Sequence, residues 1–445
     1  MESALRQRIT PVRALIAVQL AIIAVAGLAT VFSLPRFTGD EAAHYSYVQS
    51  VAEEGRLPLL GSELISPQAE AIYEGTYPAP GKLDRRQRGL GGYSYEAFQP
   101  PLAYVLAAPV FLAGGSDYVL KLRLLRVLGL GLLFFGAWLL WRLVRAVCEP
   151  GEEPAHRYAL ALTVFLWTGV VLRTVTFSNA GLEFVLGIAL TLVLWLAWRD
   201  RSPRLLLLAA LVFGLGLLTR MSIVTFLPSL ALALWIVLRD PSIPGRTRAL
   251  TALGVVALPA LMIAPWLASN LDRYGSLTAS SVVRQMQEPY LNPRGERWGV
   301  ADIPSRLVVL TRAPLAEEWW SWFLPASRRL VAGIVGLAIV LGVPAGVLTL
   351  RPPARRNRLL GLLALPVLVG IAWMAIALQA ANWDFFLPRY LYPAIPGFAV
   401  LAAVALGRIR EGRVLLPVAA TLTVLLGGWW LYLAGVEPFT GLPAS

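Results

Sequence analysis

Two neighbouring carboxylates and a scarce imidazole mark the stretch "FTGDEAAHYSYVQ", residues 37–49. They are Asp40, Glu41 and His44, the last being one of two histidines in the chain. A carboxylate within hydrogen-bond reach of a hydroxyl can take its proton as that hydroxyl attacks, and a carboxylate pair can hold a divalent cation. From Asp40 the stretch reads as a helix, with Asp40 or Thr38 at its start and Gly55 at its end. Asp40 and His44 are four apart and share a face, so His44 either orients Asp40 or packs with Tyr45 and Tyr47. Acids at a helix start also serve the helix dipole alone. A second set of residues suits an anion. Arg173 in "VVLRTVTFSN", Arg220 in "GLGLLTRMS" and Arg389 in "FLPRYLYPAIP" each sit at or near the end of an apolar run. Arginine near hydrocarbon either snorkels to headgroups or meets an anion. Three guanidinium groups at one level can grip a phosphate by paired hydrogen bonds, here the phosphate of a lipid.

Those residues need a scaffold, and composition names it. Of 445 residues, 57% are hydrophobic and 15% charged, against about 25% charged in a typical soluble domain. The apolar residues fall into continuous runs of roughly 18 to 24, enough to cross about 30 Å of hydrocarbon as helix. The runs do not alternate, which argues against a barrel. The fold class expected is therefore an all-α polytopic membrane protein of about eleven transmembrane helices. The spans are 12–33, 122–143, 158–176, 180–198, 203–219, 223–238, 248–267, 328–350, 359–379, 390–407 and 414–433. The first is expected to be a retained anchor, because many spans follow it. Cys148, the single cysteine, excludes an internal disulfide, and two histidines exclude a three-histidine metal site. The net charge of +13 belongs to arginines in short loops between spans, as cytoplasmic loops carry them, so a nucleic-acid partner is not expected.

The run "PPLAYVLAAPVFLAGG", 100–115, starts on two prolines and contains Pro109. If it does not span and the N-terminus is cytoplasmic, the loops with Arg142, Arg145, Arg157, Arg199, Arg201 and Arg204 all face inside, and so do the later basic loops. The short loops "FSNAG" and "QAANWD" then face outside without lysine or arginine. If 100–115 spanned, every later basic loop would flip outside. It is therefore expected to be an interfacial or re-entrant helix, with the C-terminus extracytoplasmic. The whole chain, 1–445, reads as one membrane-embedded domain with two long outer loops, 34–121 and 268–327. Loops of that length usually carry function. The first holds Asp40 and also "YEAFQPPLAY", which brings Tyr95, Glu96 and Gln99 as candidates for contact with a sugar or acceptor. Asn179 and Glu183 flank a helix start at the outer level, and Asn179 and Asp384 join the same candidate set. The second loop ends in "EEWWSWFLP", whose tryptophans suit the membrane–water boundary. A transporter or flippase of anionic or lipid-linked cargo is the competing reading. It would place charged groups near mid-membrane in several spans, whereas most spans here lack acids.

In chain order, "FTGDEAAHYSYVQ", "YEAFQPPLAYVLAAP", "LRLLRVLG", "LGLLTR" and "PRYLYPAIP" resemble multi-span glycosyltransferases of the GT-C type. Within that group they resemble the bacterial lipid-linked sugar transferases related to protein O-mannosyltransferases and to the aminoarabinose transferase of lipid A. The resemblance implies a polyprenyl-phosphate sugar as donor and a hydroxyl acceptor (lipid, glycan or protein) at the extracytoplasmic face of a bacterial-type cell membrane. It puts the catalytic base or metal contact on Asp40, with Glu41 beside it, and the donor-phosphate contact on Arg220. The arginine of its second span falls on Arg123 or Arg126. Many members carry a second aspartate where this chain has Asn179. Asparagine cannot serve as a base, so Asp40 and Glu41 carry more of the chemistry. A divalent cation stays open, with Asp40 and Glu41 as its ligands if one binds.

Overall fold

The computed structural model describes residues 2–32, 40–74, 94–279, 282, 353–372, 388–410 and 414–436. Among these the architecture is helical. Five helical stretches have the length and apolarity to cross a membrane: Pro11–Phe32, Tyr118–Val147, Asn179–Asp200, Met221–Leu238 and Gly245–Tyr274. The first lies within α1 (Glu2–Phe32). Then follow α2 (Glu41–Glu54), α3 (Pro67–Glu74), a 3-10 turn Tyr95–Phe98, α4 (Leu102–Leu112) and α5 (Tyr118–Val147). The chain continues through α6 (Pro154–Ala161), α7 (Thr168–Val175), α8 (Asn179–Asp200), α9 (Pro203–Leu217), α10 (Leu227–Leu238) and α11 (Gly245–Tyr274). After the second long loop come α12 (Pro353–Leu359), α13 (Ile395–Arg410) and α14 (Leu415–Val436). The run 328–350 lies outside the described residues, as does 283–327 of the second loop.

Local chemistry sets the helix boundaries near the site. Asp117 starts α5 by accepting from Val119 N and Leu120 N, both at 2.9 Å, which satisfies two of the donors a helix start leaves open. Gly55 ends α2 in the left-handed region at φ 66°, where glycine has no Cβ penalty. Helix α4 begins after Pro100 and Pro101 and has 11 residues. At 1.5 Å per residue it reaches about 16 Å, roughly half the hydrocarbon thickness.

The apolar run 158–176 is not one helix. It divides into the end of α6, a 3-10 segment Leu162–Leu166, an extended Trp167 and then α7. Thr163 Oγ1 donates back to Leu160 O at 2.7 Å, one of the local side-chain bonds that compete with regular helix. The run 223–238 opens as a 3-10 segment, Met221–Phe226, before α10. The stretch after α12 widens into a π segment, Leu360–Ala364.

Helices α5, α8, α9 and α11 pack side by side, and α2 lies along α4. The main apolar core fills the bundle. A separate buried cluster joins Tyr45, Tyr47, Tyr104, Phe111 and Phe177 beneath α2. Helices α5 and α7 approach each other closely at a glycine. A Cβ on Gly129 of α5 would stand 2.2 Å from Thr174 O and 2.7 Å from Val175 O. Glycine at 129 lets the backbone of α7 lie directly against α5. Gly129→Ala is expected to push α7 away and to cost about 1–3 kcal/mol by overpacking. A lower thermal unfolding midpoint of the purified protein would register that loss, and an unchanged midpoint would refute the close approach.

Candidate active site at the head of α2

Asp40 is the N-cap residue of α2. Its backbone carbonyl accepts from Ala43 N at 3.1 Å and His44 N at 3.2 Å, but its side chain makes no capping bond. The carboxylate turns outward instead. Tyr95 Oη donates to Asp40 Oδ1 at 2.8 Å, and Arg173 Nη1 lies 3.1 Å from Oδ2. The side chain keeps 22% of its surface exposed.

Glu41, one residue on, has different partners and is 1% exposed. Arg126 of α5 grips it with both arms of its fork, Nε to Oε1 at 2.9 Å and Nη2 to Oε2 at 2.7 Å. Phe177 N donates to Oε1 at 3.1 Å, and Arg126 Nη1 donates to Thr30 O at 3.1 Å. The alternative between Arg123 and Arg126 divides by helix face. Arg126 points into the bundle, and Arg123 is exposed.

His44 is buried in the aromatic layer beneath α2. Its Nδ1 shares a hydrogen bond with Tyr104 Oη at 2.9 Å, and its Nε2 lies 4.0 Å from Glu96 Oε1. Tyr104 stacks on Tyr47 with ring centroids 3.7 Å apart. Gln99 enters this layer through its backbone carbonyl, which accepts from Tyr47 Oη at 3.1 Å. Burial pushes the Tyr104 phenol well up, and the charge of Glu96 adds to the push while that of Arg220 opposes it. Tyr104 therefore stays a neutral hydrogen-bonding group at physiological pH.

Arg220 follows α9 on an extended residue. Its guanidinium carbon lies 5.3 Å from the centroid of the Tyr390 ring, and its Nε is 3.8 Å from Glu183 Oε2. Two observations place this turn beside the head of α2. Leu102 N, at the start of α4, donates to Leu218 O at 2.9 Å. Phe177, whose N donates to Glu41 of α2, is two residues from Asn179, which bonds the turn at Thr219 O. Asn179 opens α8 and donates from Nδ2 to Thr219 O at 3.2 Å. The backbone of Arg389 belongs to a 3-10 turn, Pro388–Leu391; its side chain and all of Asp384 lie outside the described residues.

The structure thus brings together Asp40, Tyr95, Arg173, His44, Glu96, Asn179 and Arg220. It leaves Arg123 exposed on α5. It also adds Glu183, fully buried at 0% exposure, with Ser222 Oγ donating to its Oε1. The sequence marks Glu183 only as a flank of a helix start. Its signal is an acid inside an apolar run, which is costly without a partner. The carboxylates do not fit a divalent cation. Asp40 and Glu41 each already face a guanidinium, and no group of three or more His, Cys, Asp or Glu side chains converges as metal ligands among the described residues.

Residues 99–268 match the family of dolichyl-phosphate-mannose-protein mannosyltransferases. The matched stretch runs from Gln99 into α11, so it holds Arg126, Arg173, Asn179, Glu183 and Arg220 and stops short of Asp40 and Glu41. It supports the resemblance to GT-C glycosyltransferases. No curated protein matches the sequence. Among solved structures, the chain is similar to ArnT from Cupriavidus metallidurans bound to undecaprenyl phosphate. Identity is 16% and TM-score 0.48, covering 87% of this chain and 60% of that one. It is also similar to the Archaeoglobus fulgidus oligosaccharyltransferase with zinc and sulfate, at 15% identity and TM-score 0.43, covering 94% of this chain and 52% of that one. The archaeal oligosaccharyltransferase AglB from Archaeoglobus fulgidus, in complex with an inhibitory peptide and a dolichol-phosphate, is similar at 14% identity and TM-score 0.44, covering 95% of this chain and 55% of that one. The chain spans between half and two thirds of these structures' lengths.

The two adjacent acids are expected to separate in experiment. Glu41→Ala leaves Arg126 buried without its carboxylate and should cost about 3–5 kcal/mol of stability. Asp40→Asn touches a partly exposed pair and should cost no more than about 1 kcal/mol. Thermal unfolding of both variants in the same detergent compares them, and equal losses would contradict the division between a buried acid and a site-facing one.

Proposed function

We propose that the chain transfers a sugar from a polyprenyl-phosphate donor to a hydroxyl acceptor, with inversion, at the extracytoplasmic face of the membrane. The observation that carries this reading is the placement of Asp40. Its carboxylate is turned away from helix capping and held by Tyr95, with the charge of Arg173 beside it and the Arg220 turn tied to the start of α8 through Asn179. The match of residues 99–268 to transferases named for a lipid-phosphate sugar supports the same reading.

The chemistry follows from those positions. The donor phosphodiester sits against Arg220, with Arg389 close in sequence to Tyr390, on which Arg220 rests. The acceptor oxygen attacks the anomeric carbon from the face opposite the phosphate, so a new carbon–oxygen bond forms as the bond to the phosphate oxygen breaks. The bonding pair stays with the phosphate, and the acceptor's proton passes to Asp40. Guanidinium groups fixed where negative charge grows are the largest usual contribution to such a step. Glu41 and Arg126 hold the frame, and Glu96 and Tyr95 line the side where an acceptor or sugar would lie. No step is routed through a metal, because the acids are engaged by arginines.

Asp40→Asn should lower turnover by about 10²- to 10⁴-fold, the usual worth of a general base, with donor binding retained. Arg220→Ala should weaken donor binding and turnover together. Transfer from radiolabelled polyprenyl-phosphate sugars, measured with purified protein in lipid, reads both. Full turnover in Asp40→Asn would end the assignment of the base. Movement of donor across the bilayer without transfer would favour the flippase reading.

A further inference from the structure

Asn179 and Glu183 stand four residues apart on one face of α8, and together they clamp the turn that carries Arg220. Asn179 Nδ2 donates to Thr219 O at 3.2 Å, Ser222 Oγ donates to Glu183 Oε1, and Glu183 Oε2 faces Arg220 Nε at 3.8 Å. Glu183 is 0% exposed and Arg220 7%. The separation of 3.8 Å is an ion pair but too long for a hydrogen bond. Neither Glu183 Oε2 nor Arg220 Nε has a hydrogen-bond partner among the described residues. The contrast with Arg126 is direct, since both arms of that guanidinium are closed on Glu41 at 2.9 and 2.7 Å. Arg220 is balanced in charge yet not consumed.

That arrangement bears on which phosphate the site retains. A lipid-linked donor is a phosphodiester with one negative charge. Transfer leaves a phosphomonoester, which carries about two at pH 8 because its second pKa is near 6. An arginine without a counter-charge would hold the product more tightly than the donor, and product release would slow. We propose that Glu183 is a positioning residue that fixes Arg220 and offsets its field, so that the site accepts the singly charged donor without trapping the doubly charged product. The proposal rests on the reading of Arg220 as the phosphate contact.

The test uses the full chain in lipid nanodiscs at pH 8, with undecaprenyl phosphate and its methyl diester as probes of equal tail and unequal charge. Wild type is expected to bind the two within about threefold, since each unit of charge is nearly matched inside a shielded site. Glu183→Gln keeps the size and a hydrogen-bonding oxygen for Ser222 but removes the charge. It should tighten the monoester about tenfold and the diester less. Turnover should fall without a rise in KM for the donor, and Glu183→Asp should restore the wild-type ratio. A purely structural role would loosen both probes instead. Loosening of both, or an equal shift of both, overturns the proposal. So does a wild-type preference for the monoester above about tenfold, a measurement that needs no variant to fold. Arg220→Ala separates the premise: if it binds both probes as wild type does, Arg220 is not the phosphate contact and the reading beneath the proposal fails with it.

Discussion

A carboxylate and a guanidinium buried against each other hold the end of the bundle at which α2 begins. Glu41 and Arg126 are each 1% exposed, and taking two charges out of water costs several kcal/mol per ion unless the geometry is excellent and the remaining donors and acceptors are met. Here they are met by the fork itself, by Phe177 N and by Thr30 O. Four separate parts of the chain therefore converge on one point: the last turn of α1, the first residue of α2, the first third of α5 and the link between α7 and α8. None of these can shift without leaving a buried charge short of a partner, so the pair acts as a geometric lock whatever its net worth in stability.

The lock explains how adjacent acids come to differ. Glu41 is the first residue of α2 and its direction is set by Arg126. Asp40, one position earlier, is outside the helix proper and need not follow the helical screw. Its carboxylate is left pointing toward Tyr95 and Arg173. Arg173 reaches it only because α7 lies tight on α5, and α7 lies tight because residue 129 is glycine. Gly129 is three residues from Arg126 on α5, so one helix supplies both the lock on Glu41 and the close seat for the helix that serves Asp40.

Much of this frame was legible in the sequence. The helical class follows from unbroken apolar runs. The shortness of α4 follows from its flanking prolines, and the helix from Asp40 to Gly55 follows from its cap signals. Asp40 and Arg173, both singled out by residue type, lie in direct contact, and Asn179 bonds the turn that carries Arg220. Rotation about helix axes was not legible. Arg123 and Arg126 sit in the same motif, and only the packing of α5 against α1 and α2 decides which one turns inward. The pairing of Glu41 with Arg126 bridges 85 residues, a separation at which periodicity says nothing about partners. The division of 158–176 was hidden for another reason: its hydropathy is that of a span, while its break depends on a threonine bonding its own backbone and on an extended tryptophan. Glu183 was visible as a lone acid in an apolar run, but its role depends on Arg220 and Ser222, which lie on a different segment.

The three arginine–carboxylate pairs near the site are not equivalent, and their geometry orders them. Arg126 and Glu41 make two hydrogen bonds at 2.9 and 2.7 Å. Arg173 and Asp40 make one at 3.1 Å. Arg220 and Glu183 stand at 3.8 Å with none between those atoms. A closed fork offers nothing to a ligand, because an incoming phosphate would have to break two charge-assisted bonds to gain two. A loose pair offers its full hydrogen-bonding capacity while its charge is already offset, so the site can stay free of water without carrying a bare cation. The progression from closed to loose runs from the α1–α5 lock toward the turn after α9. On the proposed reading the anion is held at the loose end of that series, on the Arg220 turn, and the proton is taken at Asp40, which divides charge stabilisation and proton removal between two differently held side chains.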